Sequence, residues 1–146
     1  MQLHREWLMD DLANLQTDRK AIQNIQKDIK SLESEYKVLK ATCYDKVPGN
    51  SGGNSQLDKM ELNLAKREEL NLCLNGTIEH VKYMEDLLGQ LDRNERELIE
   101  KTIVLHSATN EKIAEQLGVD PRTIYRKKSE VIGKLLRLRF GRGYRP

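Results

Sequence analysis

The residues whose types and spacing suit a definite chemistry lie between Thr109 and Lys128. Arg122 and Arg126 stand four apart, so any helix through them carries both on one face. A guanidinium offers two parallel donors that match O6 and N7 of guanine in the major groove, which makes this pair the candidate for reading base edges and predicts a preference for at least one G·C pair. Tyr125 and Lys128 suit phosphate oxygens, while Thr123 suits either contact or serves only as a cap. Thr109 and the N–H groups after it suit a phosphate at a helix start. The competing reading of Arg122 and Arg126 is a solvated basic helix face.

The flanking residues read as the scaffold of a helix-turn-helix. Ile113, Leu117, Val119 and Ile124 are the expected apolar contacts between two crossing helices, and Ala114 is small where their backbones come closest. Gly118 suits the left-handed conformation that ends the first helix, Asp120 caps the second, and Pro121 occupies its first turn, where a missing N–H costs nothing. Upstream, Asp92 and Glu95 have the spacing of a capping box, followed by an inward face of Leu98, Ile99, Thr102, Ile103 and Leu105. His106-Ser107-Ala108 ends that helix, with His106 expected to cap a carbonyl. His4, His80 and His106 have no zinc-site spacing, so no metal and no cofactor is expected.

On these residues the segment from Leu91 to Phe140 resembles region 4 of bacterial sigma factors: Asp-x-x-Glu-Arg opens it, Ile-Ala-Glu-Gln-Leu-Gly-Val forms the turn, and Lys-Leu-Leu-Arg-Leu closes it. The whole chain, with its long first helix and Tyr44-Asp45-Lys46 before a Gly/Ser loop, is similar to phage late-gene transcription regulators of the RinA and ArpU kind. That resemblance implies a phage or prophage protein of a low-GC Gram-positive host that activates late or packaging genes with host RNA polymerase. It also implies that Pro121, Arg122 and Arg126 fall on base-reading positions and Tyr125 on a backbone-touching one. Lys127 departs from the pattern, standing where the family more often has an apolar residue facing the core; its aliphatic stem is the expected substitute.

The elements that carry this motif are read from periodicity. Leu8, Leu15, Ile22, Ile29, Tyr36 and Cys43 recur every seven residues, with Ile25, Leu32 and Leu39 in the second seam position. Asp11 and Asp18 spoil that position earlier, where Leu12 substitutes, so the seam is expected to be tightest in its second half. Val47 to Ser55 reads as a flexible loop. A second helix to Gln90 carries Leu57, Met60, Leu64, Leu74, Ile78, Val81 and Leu88, broken by Arg67 and Asn71, which are suited to fixing register. Folding back aligns Ile29 with Leu74, Ile25 with Ile78 and Leu15 with Leu88; parallel pairing of two first helices is the alternative. Cys43 and Cys73 are expected as buried reduced thiols too far apart to join.

The expected fold is therefore all-α: a long N-terminal antiparallel helical hairpin or coiled coil over 1–90 with a loop at 47–55, a helix-turn-helix domain over 91–140, and a basic tail over 141–146. Residues 1–91 carry a net charge of −3 and residues 92–146 one of +5, and between Arg122 and Pro146 nine basic residues face only Glu130. That distribution suits a polyanion. The tail is either an arm on phosphate or minor groove, or a frayed terminus.

The N-terminal residues lack the apolar stretch of a signal peptide, and no run is long enough for a membrane helix, so a cytoplasmic protein without membrane contact is expected. No carboxylate pair or nucleophile–base constellation stands out, and an enzyme is not expected. Double-stranded DNA is the expected partner, with RNA polymerase a further one, and a homodimer or higher oligomer through the N-terminal helices is expected. Two alternatives stay open: a coiled-coil interaction module that binds polymerase without reading DNA, and a small DNA-recognition subunit of a phage packaging motor.

Overall fold

The computed structural model of the chain describes residues 2–45 and 52–143. Its regular elements are helical: α1 (Gln2–Asp45), α2 (Gly52–Leu88), α3 (Arg93–Ile99), a π-helical turn (Glu100–Val104), α4 (Asn110–Leu117), α5 (Pro121–Phe140) and a 3-10 turn (Gly141–Gly143). No strand occurs among the described residues, as the composition leads one to expect. No Gly or Pro interrupts α1, which runs for 44 residues. Of the expected loop, residues 47–51 lie outside the described ones, and Gly52 to Ser55 belong to α2. The end of the expected tail, residues 144–146, also lies outside them.

Contacts divide the chain into two compact units, one of Arg19–Glu79 and one of Met1–Asp18 with His80–Pro146. In the unit Arg19–Glu79, α1 presents the seam read from its periodicity, with Ile29 buried and Ile22, Ile25, Leu32, Tyr36 and Leu39 half-buried. α2 presents only part of the face expected of it: Met60 and Leu74 are half-buried there as read, but amides and a guanidinium take other seam positions. Gln56 and Asn63 are buried and Arg67 half-buried, while Leu57, Leu64 and Ile78 are exposed. Asn63 Nδ2 donates to the Leu32 carbonyl at 2.9 Å, Gln56 Nε2 to the Leu39 carbonyl at 3.4 Å, and Arg67 Nε to Asn63 Oδ1 at 3.0 Å.

The Arg67 guanidinium also lies 4.8 Å from the centre of the Tyr36 ring. These bonds advance along α1 as they retreat along α2, the sense that antiparallel helices require. They set Asn63, not a residue near Asn71, beside Leu32, which displaces the expected register by about one heptad. The reason is energetic: a buried amide without a partner costs about 1–3 kcal/mol, so satisfied amides outrank aligned leucines. Cys73 is exposed, contrary to the buried thiol expected there; the side chain of Cys43 lies outside the described residues.

In the other unit the order of tightness along α1 is reversed. Leu8, Leu12 and Leu15 are 0% exposed, against 9% for Ile29 in the second half. They pack in one core with Met84, Leu87 and Leu88 of α2, Ile99, Ile103 and Val104, and Val131, Ile132, Leu135 and Leu136 of α5. Five elements thus share a core that none closes alone. Ion pairs edge it: Arg139 Nη1 lies 2.7 Å from Asp11 Oδ2, Arg96 Nη2 2.7 Å from Glu85 Oε2, and Lys134 Nζ 3.0 Å from Glu95 Oε1.

The π-helical turn changes which residues point inward. Leu105 N–H donates to the Glu100 carbonyl five residues back at 2.8 Å. A widened turn shifts the helical phase, so Val104 is buried and Leu105, expected inside, is 44% exposed. The chain then reverses at His106, in the left-handed region at φ 50°. The Lys101 carbonyl accepts from the N–H groups of Ser107 and Ala108, at 2.9 and 3.2 Å, and not from the His106 ring expected to cap a carbonyl.

Candidate nucleic-acid interface

Local chemistry starts and stops each helix at the site. Asp92 Oδ1 accepts from Glu95 N–H at 2.8 Å while Asp92 N–H donates to Glu95 Oε1 at 3.1 Å, completing the capping box of α3. The Glu95 N–H holds the Asp92 carboxyl below the usual aspartate range. The side-chain hydrogen bond from Lys101 does the same for Glu97. Thr109 Oγ1 accepts from Lys112 N–H at 3.3 Å and caps α4. Gly118, at φ 68°, ends α4: its N–H donates to the Glu115 carbonyl at 3.3 Å and Val119 N–H to the Ala114 carbonyl at 3.0 Å. Asp120 Oδ1 accepts from Arg122 N–H at 2.8 Å, and Pro121 opens α5.

α4 and α5 pack through Ile113, Ala114 and Ile124, backed by Leu98 and Ala108. Leu117 and Val119, expected in this contact, are 63% and 40% exposed. The small cluster holds the first turns of α5, while Val131 to Leu136 anchor its second half in the main core. The start of α5 is consequently free over most of its circumference.

The seven candidate residues separate into three settings. Arg122 and Arg126 are exposed on the side of α5 away from Ile124, and neither enters an ion pair among the described residues. Tyr125, 65% exposed, and Pro121, also exposed, lie beside them. Thr123 and Lys128 are half-buried. Two residues along a helix turn a side chain by about 200°, so Lys128 points away from the Arg126 face. Thr109 is exposed at the start of α4, with its hydroxyl already engaged as a cap.

Burial also sorts the basic residues of α5, which the sequence offers as one undivided patch. Arg139 is 14% exposed at its side chain, paired with Asp11 and lying over the Tyr83 and Phe140 rings at 5.6 and 5.1 Å. Lys134 is tied to Glu95. Both hold the unit together. Lys127, where an apolar core contact was expected, is exposed, as are Arg137 and Arg142.

No known family, characterised protein or solved structure matches the chain.

One feature of the surface escaped the periodicity. A cleft of about 810 Å³ runs between α3, α4 and α5, floored by Leu98, Ile113, Leu117, Ile124 and Val131 and rimmed by charges of both signs, Glu97 and Glu130 with Lys101 and Lys127 among them. Lys127, as the polar residue in an apolar position, was its only trace in the sequence. Among the described residues no cluster of His, Cys, Asp and Glu is arranged to hold a metal ion, and no helix is long and apolar enough to cross a membrane.

Proposed function

We propose that this chain is a sequence-specific DNA-binding transcription regulator in which α4, the Gly118 turn and α5 act as a helix-turn-helix on double-stranded DNA. The observation that carries the reading is the pair Arg122 and Arg126, exposed and without an ion pair among the described residues at the capped start of α5, while Lys134 and Arg139 of the same helix are spent on internal ion pairs. Two guanidiniums one turn apart on the free face of a helix can meet successive base edges in the major groove. Tyr125, exposed beside them, serves a flanking phosphate.

The resemblance to regulators of the RinA and ArpU kind extends this to a phage late-gene activator working with host RNA polymerase. Paired N-terminal helices would bring two copies of α5 to half-sites about 34 Å apart. A second reading is favoured by the cleft beside α5: Leu117 and Leu98 offer apolar surface to a polymerase segment, making the chain an interaction module that does not read DNA.

Selection of bound duplexes from a random pool separates the two. The wild-type chain enriches a motif containing a G·C pair. Arg126→Ala then loses about 1–3 kcal/mol on that motif and relaxes preference at one position, whereas Tyr125→Phe weakens all duplexes alike. Unchanged base preference in Arg126→Ala means the wrong face has been assigned. No enrichment by the wild-type chain, together with polymerase capture, supports the interaction module.

A further inference from the structure

The first turn of α5 has no backbone donor to spare. Pro121 lacks an N–H, the Arg122 N–H donates to Asp120 Oδ1 at 2.8 Å, and the Thr123 N–H donates to the Asp120 carbonyl at 2.9 Å. A phosphate therefore finds no free N–H among these three residues, and the exposed Asp120 carboxylate at the same place repels it. What the tip of the helix does present is apolar. The Pro121 ring is exposed, and the Val119 side chain is 40% exposed although its spacing predicts burial between α4 and α5. Leu117, exposed with them, belongs instead to the cleft between α3, α4 and α5. Arg122 follows Pro121 about 100° round the helix, so the apolar tip adjoins the first exposed guanidinium.

We propose that Pro121 and Val119 read the C5 methyl of a thymine in the base pair next to the guanine met by Arg122, so that the preferred duplex carries a T·A pair beside that G·C pair. This rests on the reading of α4, the Gly118 turn and α5 as a helix-turn-helix on DNA, and it adds a second base to the one the arginines select. In that docking the N-terminal residues of the second helix are the ones that reach base edges.

The choice of base follows from what the tip lacks and what it carries. Two side chains without donor or acceptor gain nothing from a polar edge, and the thymine methyl is the apolar group of the major groove. A guanine under the tip sets its O6 and N7 acceptors against the Asp120 carboxylate, whereas the adenine of a T·A pair turns its N6 amino donor toward it. Methyl and amino group on one pair favour T·A over G·C on both counts.

The test alters the DNA and leaves the chain intact. In the duplex enriched by the intact chain, each thymine is replaced in turn by deoxyuridine, which removes one methyl and keeps the base pair. Kd is measured at fixed salt, low enough for every protein compared to bind. One replacement, next to a selected G·C pair, weakens binding about fourfold, the size of one lost buried methyl contact. A C·G pair at that position binds more weakly than T·A and regains about fourfold when its cytosine carries a C5 methyl, which separates the methyl from the rest of the thymine edge. In the Val119→Ser, Pro121→Ser double variant the thymine-to-uracil ratio falls to about one, because no apolar contact remains to be lost. Both positions are exposed, and circular dichroism checks that helix content is kept. If no thymine beside a selected G·C pair responds to loss of its methyl, or the double variant keeps the full ratio, the proposal is overturned while the helix-turn-helix reading stands. If the intact chain enriches no duplex, that reading falls and the proposal with it.

Discussion

Leu12 tests whether the first turns of α1 are structural members of the unit that carries α5. Its side chain is 0% exposed and lies in the core shared with Met84, Leu88, Leu135 and Leu136. Truncation to Ala removes buried apolar atoms from a closed site, a change that costs about 2–5 kcal/mol. A fragment of residues 91–146 loses much more: Leu8, Leu12, Leu15, Met84, Leu87 and Leu88 all leave the core. At about 1.5–3 kcal/mol for each buried side chain, that loss is about 9–18 kcal/mol. A domain is stable by only about 5–15 kcal/mol in total, so the fragment has no folded state to populate. Urea unfolding followed by circular dichroism measures both effects. Leu12→Ala lowers the midpoint at unchanged slope, and the fragment gives no cooperative transition. Joining residues 1–18 to 80–146 through a glycine-rich linker restores one. A cooperative transition in the 91–146 fragment, or a Leu12→Ala variant as stable as the parent, would refute the shared core.

Glycine-to-alanine changes at two sites have opposite signs. Gly118→Ala forces a side chain into the left-handed region at φ 68°, with nothing within 4 Å of the new Cβ, so its whole cost is backbone strain, about 1–2 kcal/mol. Gly133→Ala, inside α5 and equally unobstructed, stabilises by about 0.5–1 kcal/mol, and thermal unfolding of the two variants measures both. Asp92 predicts a pH dependence. Its folded carboxyl sits below the ordinary aspartate value of 3.8, held there chiefly by the Glu95 N–H, so its stabilisation is present above that value and is lost as pH falls through the lowered one. Asp92→Asn flattens the acid limb of a melting-temperature profile, and an identical limb in the variant would exclude the cap as its source.

What the amino-acid sequence determined by itself is what short-range hydrogen bonding decides. Asp92 with Glu95, Thr109, Gly118, and Asp120 with Pro121 each satisfy helix ends within a few residues, so the starts of α3, α4 and α5 and the end of α4 were legible without knowing the neighbours. The exposure of Arg122 and Arg126 came from the same phase, since Ile124 alone turns inward in that first stretch. Tertiary structure decided what depends on a partner surface. Leu57 and Leu64 lost the seam to Gln56 and Asn63 because an amide that reaches a carbonyl of α1 is satisfied, whereas periodicity counts only hydropathy. Leu105 left the inward face because a π-helical turn, invisible in residue types, rotated the end of its helix. Leu8, Leu12 and Leu15 were read as the loose end of a seam and became the most buried part of α1. Their partners, Leu135 and Leu136, lie more than a hundred residues away, a separation that no local pattern encodes.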